Sequence, residues 1–167
     1  VKEAASWFLG GVFLNYNGSY LERALEQMLD EADSPEVTRF LRAVDVRIDG
    51  FRVEKATEGR GQRVFVRHDV GGRGYELRLS EESAGTQKLM GLAAFLLAAL
   101  ERGGTVVVDE LDAKLHPKLL RYVILLFKDP EVNKHGAQLI FSSQDVSTMR
   151  NDVFRRDEIW FAARGEG

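Results

Sequence analysis

Leu79-Ser80-Glu81-Glu82-Ser83-Ala84-Gly85-Thr86-Gln87, an apolar run to Leu100, and then Gly103-Gly104-Thr105-Val106-Val107-Val108-Asp109-Glu110-Leu111-Asp112 and Leu115-His116-Pro117 decide how this chain is read. Three valines leading into two adjacent carboxylates predict a buried parallel strand, Thr105 to Glu110, whose C-terminal end presents acid groups. In open α/β sheets that end is where ligands bind. One carboxylate of such a pair can hold a hydrated Mg²⁺ while its neighbour polarises an attacking water. A solvated acidic turn is the plainer account of an isolated Asp-Glu pair. The segment before it changes the weighing: Ser83, Gly85 and Thr86 open a helix whose free N–H groups and dipole can receive phosphate. Taken alone, Ser83 reads equally well as an ordinary N-cap.

In this order and spacing the pieces resemble the C-terminal half of an ABC-type ATPase domain. The branch is the one shared by chromosome-maintenance (SMC-like) heads, DNA-repair heads and bacterial OLD-like defence ATPases. The resemblance covers residues 79 to 162: a signature motif at Ser83-Ala84-Gly85-Thr86-Gln87, a Walker B strand at Thr105 to Glu110, and a D-loop from Leu111-Asp112 through Leu115-His116-Pro117. A switch segment follows at Leu139-Ile140-Phe141-Ser142-Ser143-Gln144-Asp145. It implies an α/β fold of P-loop NTPase type, with a parallel sheet flanked by helices, and a function in binding and hydrolysing ATP with Mg²⁺. By resemblance, Asp109 holds the metal's water shell, Glu110 activates the attacking water and Gln144 contacts the γ-phosphate. Ser83, Gly85, Thr86 and Gln87 belong to the surface that receives the nucleotide of a second head, and Asp112 couples the two sites.

The sequence departs from the family pattern twice. The phosphate-cradling loop G-x-x-x-x-G-K-[ST] occurs nowhere in these 167 residues, so the lysine and amide nest that grip the β- and γ-phosphates are expected from an upstream segment of the same protein. The start without a methionine, in the middle of an apparent helix, fits the same expectation. The second departure is Gln144, which stands where the family usually has a histidine. An amide donates a hydrogen bond but carries no proton-linked charge, which predicts slow turnover.

Length and composition agree with a folded, globular chain: 44% of the residues are hydrophobic and the net charge is −3. The absence of cysteine excludes disulfide staples and Cys-based metal sites and is compatible with the cytoplasm. The longest apolar run, Leu89 to Leu100, is about a dozen residues against the roughly 20 needed to span a bilayer, so no membrane role is expected. The charge balance gives no nucleic-acid footprint. Arg60, Arg63, Arg67 and Arg73 form a local basic bias, which alternating charge on an exposed sheet explains as well as DNA contact does.

Three regions follow: a helical lobe over 1–48, an antiparallel β meander over 49–78, and the C-terminal half of the ATPase core over 79–167. In the first, Lys2 to Leu9 reads as a helix end and Tyr20 to Glu31 as a helix. A further helix opens at Ser34-Pro35, with Val37, Phe40, Leu41 and Val44 on one face. The meander shows a period of two at Val46, Ile48, Phe51 and Val53, then Val64 and Val66, then Tyr75, Leu77 and Leu79, with turns at Gly59–Gly61 and Gly71–Gly74. His68 reads as a surface strand residue and His116 as a helix cap. A helix over about 84–101 is apolar around nearly its whole circumference and so is expected to be buried. Downstream come a helix over 118–128, a strand over 138–141, a short helix over 146–149 and a last strand over 158–161.

Partners expected from the resemblance are the upstream phosphate-loop segment, a second copy of the chain in an ATP-dependent homodimer, and an effector protein such as a nuclease. DNA is left open. A rival reading of the same residues is a catalytically weak, ATPase-like scaffold that only binds a partner protein. Binding indifferent to nucleotide would favour that rival, and tight ATP-dependent dimerisation the first reading.

Overall fold

The computed structural model describes residues 12–15, 35–44, 47–55 and 62–163. The helices expected over Lys2 to Leu9 and Tyr20 to Glu31, the cap at Ser34, Val46 and the turn at Gly59–Gly61 lie outside them. Within them, β1 (Val12–Asn15), β5 (Thr105–Val108) and β6 (Gln138–Phe141) form one sheet, and β2 (Ile48–Lys55), β3 (Gln62–Val70) and β4 (Arg73–Arg78) another. The helices are α1 (Pro35–Val44), α2 (Ala84–Arg102) and α3 (Pro117–Lys128).

The first sheet is parallel, in the order β1-β5-β6, with Val12 opposite Thr105 and Val106 opposite Leu139. The valine run thus lies between two strands, which is why Val106 and Val108 are buried. Two details differ from expectation. The strand stops at Val108, so Asp109 and Glu110 stand on the turn beyond it, released from the sheet ladder. The other is β1, which reading by periodicity missed: its four residues are too few to show a period, and it lies inside the stretch assigned to the helical lobe.

α2 is the centre of the core. Leu89, Leu92, Ala93 and Leu96 are fully inaccessible, and one apolar cluster joins them to Phe40 and Leu41 of α1, Val106 of β5, and Leu120 and Val123 of α3. At about 1.5–3 kcal/mol for each buried leucine-sized side chain, this helix fixes what its first turn can reach. It ends at Gly103, whose φ of +74° suits the left-handed C-cap; a Cβ there would lie 2.4 Å from the His135 carbonyl oxygen. Asn133 shapes the loop on that side. Its amide donates to the carbonyls of Phe127 and Ala137, and its Oδ1 accepts from the Ala137 amide.

The meander forms as the period predicted, with the register slip between Ile48 and Gly50 explaining why Ile48 and Phe51, three residues apart, both reach the core. Gly71 and Gly72, both at positive φ, make the tight β3–β4 turn. β4 departs from expectation. All its residues are exposed, including Tyr75 and Leu77, and Leu79 belongs instead to a short 3₁₀ turn, Leu79–Glu81. On the sheet surface Arg52 pairs with Glu54 and Glu76, and Arg67 with Asp49, so part of the basic bias is neutralised across strands.

Two further expectations are corrected. Residues 146–149 form turns rather than a helix, with the Met149 amide bonded to the Val146 carbonyl; Asp145 takes the Ser147 amide and hydroxyl, a local turn that competes with helix. The predicted last strand is also absent. Arg156–Glu158 is a 3₁₀ turn and the residues after it join no strand among the described residues, with Trp160 and Phe161 90% and 82% exposed. No helix among the described residues is long and apolar enough to cross a membrane.

Candidate functional site

At the C-terminal ends of β5 and β6 the two chains stay tied past the last strand residues. Ser142 donates its amide to the Val108 carbonyl at 3.1 Å and accepts the Leu111 amide at its own carbonyl at 3.0 Å. Its hydroxyl sits between the two carboxylate residues, donating to Asp109 Oδ1 while accepting the Glu110 amide at 2.8 Å. Gln144 then closes the cluster. Its Nε2 donates to Glu110 Oε1 at 3.2 Å, and its amide meets Asp112 Oδ1 and Oδ2, both at 3.3 Å. Asp109, Glu110 and Gln144, expected on one sheet edge, are therefore neighbours there, and Asp112 joins them. Ser142 is expected at this edge as part of the switch segment, but sequence reasoning assigns it no role. Only its place at the end of the switch strand could have marked it.

Glu110 has a φ of +49° and Lys114 one of +65°, left-handed conformations that L side chains adopt only when their surroundings impose them. Here the Ser142 hydroxyl holds the Glu110 amide and the Lys88 ammonium holds its carbonyl at 2.6 Å. The bend turns the Glu110 side chain toward Gln144 instead of along the strand. Asp109 is exposed, and Oδ2 has no hydrogen-bond partner among the described residues. No group of three or more metal-ligating side chains occurs among those residues. A lone, half-engaged carboxylate suits Mg²⁺, which keeps most of its waters and takes its other ligands from phosphate; Asp109 fits that ion.

The signature residues lie apart from this cluster, with no hydrogen bond to its carboxylates among the described residues. Ser83 is the N-cap of α2: its Oγ accepts the Thr86 amide at 3.1 Å and lies 2.9 Å from Thr86 Oγ1. Gln87 turns back, donating to the carbonyls of Glu82 at 2.8 Å and Ser80 at 3.4 Å, which fixes the approach to the cap. The same approach is braced by His68, whose Nε2 is 2.6 Å from Glu82 Oε1 with side chains only 13% and 7% exposed. His68 is thus not the surface residue expected from the lack of a ligand cluster around it; β3 packs over the turn before α2 and covers it. Its partner is distant in sequence, so no local spacing could have shown the pair. His116 behaves as expected, its Nδ1 accepting the Lys118 amide at 3.2 Å at the start of α3.

Comparison with known proteins agrees with this geometry. Residues 6–150 match the family described as "AAA domain, putative AbiEii toxin, Type IV TA system". The chain belongs to this AAA-domain family. It is therefore an AAA-type ATPase module, with nucleotide binding as the family's common property. Among solved structures it is similar to one described under "Structural biochemistry of ATP-driven dimerization and DNA stimulated activation of SMC ATPases". The identity is 17% over 74% of this chain and 75% of that one, with a TM-score of 0.51. That likeness shows the fold alone, a mixed α/β core with a parallel sheet. No curated protein matches the chain in sequence.

Proposed function

We propose that this AAA-domain chain is the signature- and Walker-B-bearing half of an ATPase head that hydrolyses ATP between two copies of itself. The observation that carries the reading is the strained, three-point-held Glu110 beside Asp109 and Gln144 at the C-terminal edge of a parallel sheet. Mg²⁺, when bound through Asp109, supplies neutralisation of phosphate charge. Glu110 serves as the base that orients and deprotonates the attacking water. Gln144, already within hydrogen-bonding distance of Glu110, holds the γ-phosphate and limits the rate because it stays neutral as charge shifts in the transition state. Ser83, Gly85 and Thr86 present the N-terminus of α2 to the nucleotide of the other copy, and Asp112, on the turn that follows Glu110, reports that contact. The solved structure's description in terms of ATP-driven dimerisation of SMC ATPases supports this arrangement by analogy of fold.

The phosphate loop comes from another segment of the same protein. Among the described residues β6 is bonded to β5 alone, Ile140 is 56% exposed, and the apolar side chains of Trp160 and Phe161 lie uncovered further along the chain. A strand carrying the loop adds at that edge. The test uses the polypeptide that joins this chain to its phosphate-loop segment. Glu110→Gln retains ATP, so light scattering with ATP and Mg²⁺ gives a stable dimer. A monomer under those conditions, with a partner protein bound equally well with and without nucleotide, would replace the ATPase reading by a scaffold.

A further inference from the structure

Lys88 is the one cation that reaches the carboxylate turn from the signature helix among the described residues. It lies in the second turn of α2, and its Nζ donates to two backbone carbonyls on the far element, Glu110 at 2.6 Å and Ala113 at 2.9 Å. Burial pulls the ammonium below its ordinary pKa, while the nearby charges of Asp112 and Glu110 oppose that pull. One turn earlier, Gly85 makes the second contact: a Cβ at that position would stand 3.0 Å from the Lys114 carbonyl oxygen. The first two turns of α2 therefore rest on residues 110–114, with a glycine permitting close approach and a lysine gripping two carbonyls. Glu110 lies inside that grip in a left-handed conformation that it would not choose by itself. Its amide is held by β6 through Ser142 and its carbonyl by α2 through Lys88.

We propose that Lys88 is a positioning residue that ties the signature helix to the carboxylate turn, so that Glu110 keeps its working orientation only while α2 is seated there. The proposal rests on the reading of Glu110 as the base. It adds a mechanical consequence: when a second copy's nucleotide engages the N-terminus of α2, any shift of that helix reaches Glu110 of the same chain through one side chain. A salt link at the surface could not transmit this, because exposed ion pairs exchange freely with water. A half-buried ammonium on two carbonyls has no comparable alternative partner.

Lys88→Met keeps the stem and removes the charge, and Lys88→Arg keeps the charge. Both are made in the polypeptide that includes the phosphate loop. For Lys88→Met, kcat falls about 10²-fold while KM for ATP stays within about 3-fold, the pattern of a displaced catalytic group; Lys88→Arg recovers most of the loss. Amide hydrogen exchange in the same protein gives a readout independent of hydrolysis. Leu111 and Ala113, whose amides are bonded to Ser142 and Glu110 carbonyls, exchange at least about 10-fold faster in Lys88→Met, and β5 amides do not change. Unchanged exchange at Leu111 and Ala113 overturns the clamp. Faster exchange with kcat unaltered, or with the loss confined to KM, overturns the positioning role. Glu110→Gln hydrolysing at the parental rate would instead remove the base assignment, and the exchange data would still judge the clamp.

Discussion

Replacing Glu110 by glycine and by alanine separates strain from chemistry at the centre of the site. Both changes delete the carboxylate and its exposed contact with Gln144, so they differ only in how they tolerate a φ of +49°. Alanine in the left-handed region costs about 1–2 kcal/mol relative to a right-handed residue, and glycine pays almost none of it. Against this, glycine's freer unfolded chain costs about 0.4–1 kcal/mol. The balance leaves Glu110→Gly more stable than Glu110→Ala by about 0.5–1 kcal/mol, or ~1–4 °C in Tm for a chain of this size. At an ordinary position the sign is opposite. Lys114, at φ +65° on the same turn, provides a control with no assigned chemistry, and its Gly and Ala variants follow the same order. Paired thermal and urea denaturation of the four variants measures this. If alanine matches or exceeds glycine at 110, the turn is not held in the strained form and the three-point grip on Glu110 loses its purpose.

Other consequences can be checked alongside. Ser83→Arg places a bulky cation on the exposed N-cap of α2 and abolishes ATP-dependent dimerisation in light scattering, while denaturation shows a loss of only about 0.5–2 kcal/mol; normal dimerisation would remove the signature assignment. Gln144→His raises the ATP turnover rate with little change in nucleotide affinity, because the ring can become a cation as charge shifts; a lower or unchanged rate would mean that Gln144 does not face the γ-phosphate. Gly103→Ala adds a Cβ 2.4 Å from the His135 carbonyl in a left-handed cap and destabilises the fold by about 2–4 kcal/mol in urea, whereas a loss under about 1 kcal/mol would show that the 133–137 loop yields freely.

Where the sequence was informative, a long period or a strong local signal carried it. The valine run, the largely apolar α2, the Pro-led α1 and α3 and the Gly-rich turn at Gly71–Gly74 each leave a signature in neighbouring residues, and each element formed there. The grouping of Asp109, Glu110 and Gln144 followed from placing two strand ends on one sheet edge, whereas the contact of Asp112 with the Gln144 amide did not. What remained hidden depends on partners far apart in sequence: the His68–Glu82 pair, Ser142 between the carboxylates, and the Lys88 grip on Glu110 and Ala113. The strand expected over Glu158 to Phe161 failed for a related reason. Its apolar residues make a strand only if a neighbour offers a ladder, and among the described residues none does.

The central claim is that Glu110 activates the water that attacks ATP. Its most direct test is the rate of phosphate release from ATP by the parent and by Glu110→Gln, both in the polypeptide containing the phosphate loop and at saturating ATP and Mg²⁺. The account predicts slow but measurable release by the parent and a rate lower by about 10²–10⁴-fold in the variant, with ATP still bound. Equal rates in the two proteins would contradict it.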